Sequence, residues 1–327
     1  MRPFTFEHAA DAGTAVASRA TTTESAYLGG GTNLVDLMRL GVERPAHLVD
    51  VTRLGHDGVD PQDDGSLRIG AGVRNSDLAA HPAVREQQPL LSQALLAGAS
   101  GQLRNVATVG GNLLQRTRCP YFQDTTKACN KRDPGSGCPA RDGEHRNLAI
   151  LGHSEACVAT HPSDMAVAMQ ALGAVVHVHG RDGSRDVPMP GLHRLPGDAP
   201  ERDTVLEPSD LIVGVTLPPP LPGGRSRYLK VRERASYAFA LVSVGVVVAV
   251  EDGVIVDSRI ALGGVAHAPW RATRAEDELR GAPATVETFR RAAASELDQA
   301  QPLRDNAYKV TLASNLLVRA LEELCAA

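Results

Sequence analysis

The run Pro218-Pro219-Pro220, followed by Pro222-Gly223-Gly224, divides this chain more sharply than any other feature. Proline lacks a backbone donor and fixes φ, and glycine has little conformational bias, so neither a helix nor a central strand continues through such a run. The 327 residues are therefore expected to form one unit over 1–220 and a second over 225–327. Aromatic residues make up 3% of the chain against 43% hydrophobic residues, so both cores must be built from Ala, Val and Leu. Lys and Arg number 34 against 38 Asp and Glu, a net charge of −4, which excludes the basic excess of a nucleic-acid or membrane-surface binder.

Within the first unit, Phe4–Phe6, Ala26–Leu28 and His47–Val51 read as strands, separated by helices over Ala9–Ala20 and Thr32–Leu40. This compact βαβαβ-like lobe ends near residue 55, and a mixed lobe over about 56–220 follows, with helices around Asp77–Val84 and Leu90–Ala97. Beyond the prolines, Tyr237–Val250 and Val254–Leu262 flank Glu251-Asp252-Gly253, an Asp-Gly hairpin signal. Helices over about Arg274–Leu279, Val286–Leu297 and Asn306–Leu324 complete an α+β chain. Ala238–Val250, the longest apolar stretch, is interrupted by Ser243 and falls short of the ~18 residues of a spanning helix, so no membrane insertion is expected. The start, Met1-Arg2-Pro3-Phe4, has no apolar leader segment, and folding in the cytoplasm is expected.

Two glycine loops carry the first functional signal. Leu28-Gly29-Gly30-Gly31-Thr32-Asn33-Leu34 lies where a strand hands over to a helix, a place where bare backbone N–H groups can hold an anion. It matches neither the P-loop nor the Rossmann pattern. Thr108-Val109-Gly110-Gly111-Asn112 repeats the same small-residue chemistry about eighty positions later. Glycines also serve as plain turn residues, and Thr32 and Asn33 as plain helix caps, but two such loops could clamp two phosphates.

From Arg116 to about Ile150 the periodicity disappears, and an insertion over about 116–157 carries Cys119, Cys129, Cys138 and, just after order resumes, Cys157 at C-x9-C-x8-C-x18-C. The absence of a C-x2-4-C knuckle favours an iron–sulfur cluster, [4Fe–4S], over zinc, with unliganded thiols as the third reading. Between Arg116 and Arg146 seven basic residues face four acidic ones, an excess expected to favour thiolates. Cys325 reads as a small buried hydrophobe, and His161 and His267 as structural.

Taken with His161-Pro162-Ser163-Asp164 and Tyr228-Leu229-Lys230-Val231-Arg232, the two loops resemble the FAD-binding medium subunit of the xanthine dehydrogenase, or molybdenum hydroxylase, family over nearly the whole chain. The cysteine insertion, with Gly101–Asn105, Leu113–Phe122 and Ala235–Ala240, is similar to its periplasmic aldehyde oxidoreductase branch. The resemblance implies a two-lobed vanillyl-alcohol-oxidase (PCMH)-type FAD-binding domain and a C-terminal domain with an antiparallel sheet and helices. It implies that Ala26, Tyr27, Leu28, Gly29, Gly30, Gly31, Thr32, Asn33 and Leu34, with Thr108, Gly111 and Asn112, hold FAD. Asp164 would anchor the flavin or ribityl region and Lys230 would lie near the isoalloxazine, while Tyr237 reads as a core residue of its strand. The same resemblance places [4Fe–4S] on Cys119, Cys129, Cys138 and Cys157.

The implied partners are a small [2Fe–2S] subunit and a large molybdopterin-binding subunit, since this chain has no C-x4-C-x2-C pattern and no room for a molybdenum domain. Electrons from aldehyde oxidation would pass through the [2Fe–2S] centres to FAD and on to an external acceptor. Export to the periplasm would require a partner with a twin-arginine leader. A 4-hydroxybenzoyl-CoA-reductase-like or xanthine-dehydrogenase-like flavin subunit is the alternative, and a zinc-stapled nucleotide-binding module the non-enzymatic one.

Overall fold

The computed structural model describes residues 1–22 and 24–326. Strands β1 (Thr5–His8), β2 (Ser25–Leu28) and β3 (His47–Asp50) form a parallel sheet in the order β1-β3-β2. The helices between them, Ala12–Arg19 and Leu34–Leu40, make the crossovers that parallel pairing demands. The second helix is shorter than the sequence suggested, because Thr32 and Asn33 stay outside it in the loop.

A second sheet is antiparallel, formed by β4 (Val59–Pro61), β5 (Leu67–Gly70), β6 (Val175–Gly180), β7 (Gly183–Pro188) and β8 (Leu211–Leu217) in the order β4-β5-β8-β6-β7. The polar edge strand β7 was not legible in the sequence, since Ser184, Arg185 and Asp186 face solvent in succession. The pattern over Asp77–Val84 is two helices, Asn75–Ala80 and Pro82–Gln87, because Pro82 takes the first position of a new helix and holds His81 extended.

The last sheet comprises β9 (Gly224–Val231), β10 (Val242–Glu251), β11 (Val254–Gly263) and β12 (Trp270–Arg271), antiparallel in chain order. Asp252 and Gly253 both take positive φ, 50° and 78°, so the β10–β11 connection is the tight turn its Asp-Gly pair signalled. Strand β10 starts only at Val242. Residues 232–241 form a loop instead, and Tyr237 takes φ 52° there. Helices Thr273–Leu279, Val286–Leu297 and Tyr308–Cys325 cover this sheet, and their aliphatic faces join Val244, Val246 and Ile260 in one core. The α+β class and the C-terminal antiparallel sheet with helices are as the sequence implied.

Helix Asp164–Leu172 lies at the junction of the two antiparallel sheets, and all nine of its residues are buried. Its start is fixed by Ser163, whose Oγ accepts from Ala166 N at 2.9 Å, and its end by Gly173 at φ 70°. The segment between 116 and 157 contains a helical turn over Pro120–Gln123 and a 3-10 turn over Pro139–Arg141. It wraps its own small core of Phe122, Ala140, Leu148 and Val158 against Leu37. Among the described residues, no helix is long and apolar enough to cross a membrane.

Lys309, fully buried at the start of the last helix, donates to the carbonyls of Asn147, Leu148 and Gly264, joining that helix to the insertion and to the turn after β11. Burial lowers its pKa from 10.5 to about 7. The unfolded lysine therefore binds more protons than the folded one between these values, so stability is expected to rise as pH increases from about 7 to about 10. The midpoint of urea unfolding should show this rise in the native chain and a flatter profile in Lys309→Met.

Candidate functional site

A cavity of about 630 Å³ opens where both lobes of the first unit, the insertion and the C-terminal domain meet. Thr32, Asn33, Gly111, Asn112 and Asp164 line it, five of the residues singled out in the sequence. The two glycine loops touch beside it. A Cβ on Gly30 would fall inside the van der Waals radius of the Val106 carbonyl, and Cβ atoms on Gly29 or Gly111 would each lie 3.1 Å from Thr108 Oγ1. Only glycine permits this backbone contact at position 30. Thr108 Oγ1 caps the second loop, accepting from Gly111 N at 3.3 Å.

Asn33 does not cap its own helix. Its Oδ1 accepts from Arg116 N at 2.9 Å, and its buried Nδ2 has no partner. Asn112 Oδ1 accepts from Ser163 Oγ at 2.6 Å and from Gln115 Nε2 at 2.8 Å. Asn75 Oδ1, Arg118 Nε and His161 Nε2, all buried and all from residues lining the same cavity, are also unpartnered among the described residues. Ser243 Oγ, on another lining residue, is a fifth such atom; buried polar atoms are normally satisfied, so five of them around one cavity mark where a polar ligand completes the structure. FAD, with its diphosphate, ribityl hydroxyls and ring carbonyls, fits that donor and acceptor set.

The remaining candidates serve as supports. Asp164 Oδ1 accepts from the Tyr228 hydroxyl at 2.6 Å, and Oδ2 forms a 2.8 Å ion pair with Lys230 Nζ. Lys230, only 3% exposed, also donates to the Ala97 carbonyl and is not among the cavity-lining residues, so Asp164 stands between it and the open space. Burial, reinforced by the Asp164 charge, holds the Tyr228 phenol well above its usual pKa, so it is a donor at any working pH. Ala26, Tyr27, Leu28, Gly29, Gly30, Gly31, Leu34 and Thr108 are not among the cavity-lining residues. Tyr27 donates to the Ser209 carbonyl at 2.7 Å, binding β2 to the second lobe. Tyr237 is 58% exposed on the cavity rim, with Arg234 stacked on its ring, and is not the core residue its apolar surroundings suggested.

His161, read as structural in the sequence, lines the cavity. Burial first, and then His193 at 4.3 Å between ring centroids, pushes its pKa well below the usual value and keeps it neutral. Its position three residues before Asp164 was the available signal.

Cys119, Cys129, Cys138 and Cys157 line one small second cavity, and Cys119 also lines the large one. Among the described residues, however, no three His, Cys, Asp or Glu side chains are arranged to hold a metal ion. The expected electrostatic support for thiolates is absent as well. Burial raises the Cys119 thiol to about 12 and Cys157 to about 11, and raises Cys138, with Lys131 pulling only on Cys157. The basic side chains are committed elsewhere: Arg116 to Glu43 and Asp203, Arg118 to Asp36, Lys131 to Asp203 and Arg141 to Glu155. Cys325 is half-buried at the end of the last helix, remote from these four in the fold.

Comparison with known proteins bears on this geometry. Residues 2–220 match the FAD binding domain in molybdopterin dehydrogenase, and 227–324 match the CO dehydrogenase flavoprotein C-terminal domain. The chain belongs to the FAD-binding medium subunits of the xanthine dehydrogenase and CO dehydrogenase family, and is a subunit of an oxidoreductase. It is 51% identical over 325 residues to the aldehyde oxidoreductase FAD-binding subunit PaoB of Escherichia coli, covering 99% of this chain and 98% of that one. A putative xanthine dehydrogenase FAD-binding subunit, XdhB, from the same species is 24% identical over 91% of this chain and 86% of its own. The solved carbon monoxide dehydrogenase of Hydrogenophaga pseudoflava, in a form lacking the Mo-pyranopterin moiety, superposes with a TM-score of 0.79 at 25% identity, covering 99% and 98% of the two chains.

Asp164→Asn would leave Lys230 buried without a counter-charge, and a loss of about 3 kcal/mol in unfolding free energy is expected. Adding Lys230→Met should recover part of it, and denaturant titration of the two single variants and the double variant measures the coupling.

Proposed function

We propose that this chain is the FAD-carrying electron-transfer subunit of a molybdenum-containing aldehyde oxidoreductase. The observation that carries the reading is 51% identity, nearly end to end, with an aldehyde oxidoreductase FAD-binding subunit, against 24% with a xanthine dehydrogenase one. A large molybdenum subunit and a small [2Fe–2S] subunit complete the enzyme in this reading, and an external acceptor takes the electrons.

Bound FAD supplies one- and two-electron transfer, and the chain supplies its position and surroundings. Thr32, Asn33, Gly111 and Asn112 hold the diphosphate, with Gly30 letting the two loops close on it. Asp164 receives a ribityl hydroxyl or ring N–H, and Tyr228 and Lys230 fix its rotamer from behind. His161, neutral, offers Nε2 to the same ligand. Tyr237 and Phe239, exposed on the rim loop, limit water access.

The four cysteines lining the second cavity are proposed to carry a [4Fe–4S] cluster. A four-iron core is several atoms across, so its thiolates surround a cavity instead of converging on one point, and an apolar lining suits a closed, coordinatively saturated cluster. Each thiol must lose its proton on loading, and burial opposes this at Cys119, Cys138 and Cys157, whose thiols it raises.

Acid release from the purified protein should yield free FAD, and Gly30→Val should lose it. Anaerobically prepared protein should contain about four iron and four sulfide per chain, unchanged by Cys325→Ser and lost with Cys129→Ser. Stoichiometric zinc without iron would refute the cluster. The chain alone should not reduce a dye with any aldehyde, whereas the co-expressed complex should, and turnover by the chain alone would overturn the relay reading.

A further inference from the structure

Four arginines line the large cavity, and each has at least one protein partner. Arg104 Nη1 donates to the Gly98 carbonyl at 2.6 Å, Arg146 pairs with Glu233, and Arg234 donates to the Tyr237 carbonyl. Arg118 differs from these. Its Nη1 is held by Asp36 at 2.9 Å, its guanidinium carbon lies 5.2 Å from the centre of the Phe239 ring, and its buried Nε has no partner among the described residues. The side chain is thus clamped from two sides while one directed donor remains unused.

Arg118 is also placed by its anchors. Asp36 lies in the first turn of the helix that follows Thr32 and Asn33, and Arg116, two residues before Arg118, donates its backbone N–H to Asn33 Oδ1. Both anchors tie the segment that carries Arg118 to the helix and loop around Asn33, on the side of the cavity that Thr32 and Asn33 line. That side offers neutral donors from Thr32, Asn33, Gly111 and Asn112, and a diphosphate brings two negative charges that neutral donors do not balance. A cation with a free N–H in a partly dehydrated pocket supplies a charge-assisted bond there.

We propose that Arg118 is a binding residue for the FAD diphosphate, contributed by the cysteine insertion. The proposal rests on the diphosphate lying at the glycine loops. It makes the insertion a flavin-binding element in its own right, separate from whatever its thiols carry. Asp36 is then a positioning residue, which keeps the guanidinium aimed and prevents it from swinging to solvent.

The test is flavin binding to the deflavinated full chain in complex with its co-expressed partners, with FAD and riboflavin compared for native protein, Arg118→Met, Arg118→Gln and Gly30→Ala. Riboflavin has the ring and ribityl chain but no phosphate. Arg118→Met and Arg118→Gln should bind FAD about 10- to 100-fold more weakly, bind riboflavin as the native protein does, and show a shallower loss of FAD affinity with salt. Iron content, measured alongside, should match the native level, which separates loss of the guanidinium from collapse of the insertion. Unchanged FAD affinity in both Arg118 variants, or a parallel loss of FAD and riboflavin, would overturn the proposal. In that case Gly30→Ala locates the failure. If it weakens FAD selectively, the diphosphate is at the loops and Arg118 does not reach it; if it does not discriminate, the diphosphate lies elsewhere.

Discussion

The Asp203 carboxylate is where three otherwise separate parts of this protein are tied together. It accepts from Lys131 Nζ at 2.6 Å and Arg116 Nε at 3.0 Å, both from the cysteine insertion, and faces His267 Nε2 of the C-terminal domain at 3.7 Å. The two cations hold its pKa well below the carboxylate range despite partial burial. Lys131, 1% exposed, would not tolerate its own burial without that charge. Burial and the neighbouring Lys131 lower His267 to about 4, so its ring is neutral. The tautomer follows: Nδ1–H donates to the Arg194 carbonyl at 2.9 Å, leaving Nε2 to accept from Lys131 at 2.6 Å. Through this network, an insertion with hardly any regular secondary structure keeps a fixed place, and with it the side of the large cavity that the insertion supplies.

The fold was largely legible because its boundaries are local. Asp252-Gly253 announces a tight turn, the prolines at 218–220 follow directly on the end of β8, and the aliphatic periodicity of 286–297 gives a helix at those residues. The site was legible only in part. Glycine loops and an Asp at a helix start are short-range signals, and five such residues do converge on one cavity. Lys230 and Tyr228 could be recognised as relevant but not placed, because which residue faces the ligand and which stands behind Asp164 is decided by strand register, β9 against β10, and by helix 164–172. Asn75 and Arg118 were not singled out as ligand-facing, and His161 was read as structural, for a similar reason. An unsatisfied donor or acceptor is a property of three-dimensional surroundings, invisible in a sequence where the same residue types cap turns everywhere.

Local charge composition misled in the insertion. Seven basic residues in thirty-one suggested a field favourable to thiolates, but side chains follow partners rather than sequence proximity, and carboxylates from Asp36, Glu43, Glu155 and Asp203 claim four of them. What surrounds the sulfur atoms is instead Phe122, Ala140, Val158 and Ala159. Counting charges along a segment measures solubility and long-range field more faithfully than it measures the environment of a buried group.

Cys119 faces both cavities, and Arg118, Pro120, Glu144, Arg146 and Leu148 line the larger one beside it. The segment that looks like an accessory loop is therefore also masonry for the flavin chamber. A version of this protein trimmed of the segment would leave the large cavity open along that side. The insertion is inherited as architecture, and cannot be treated as a detachable cassette.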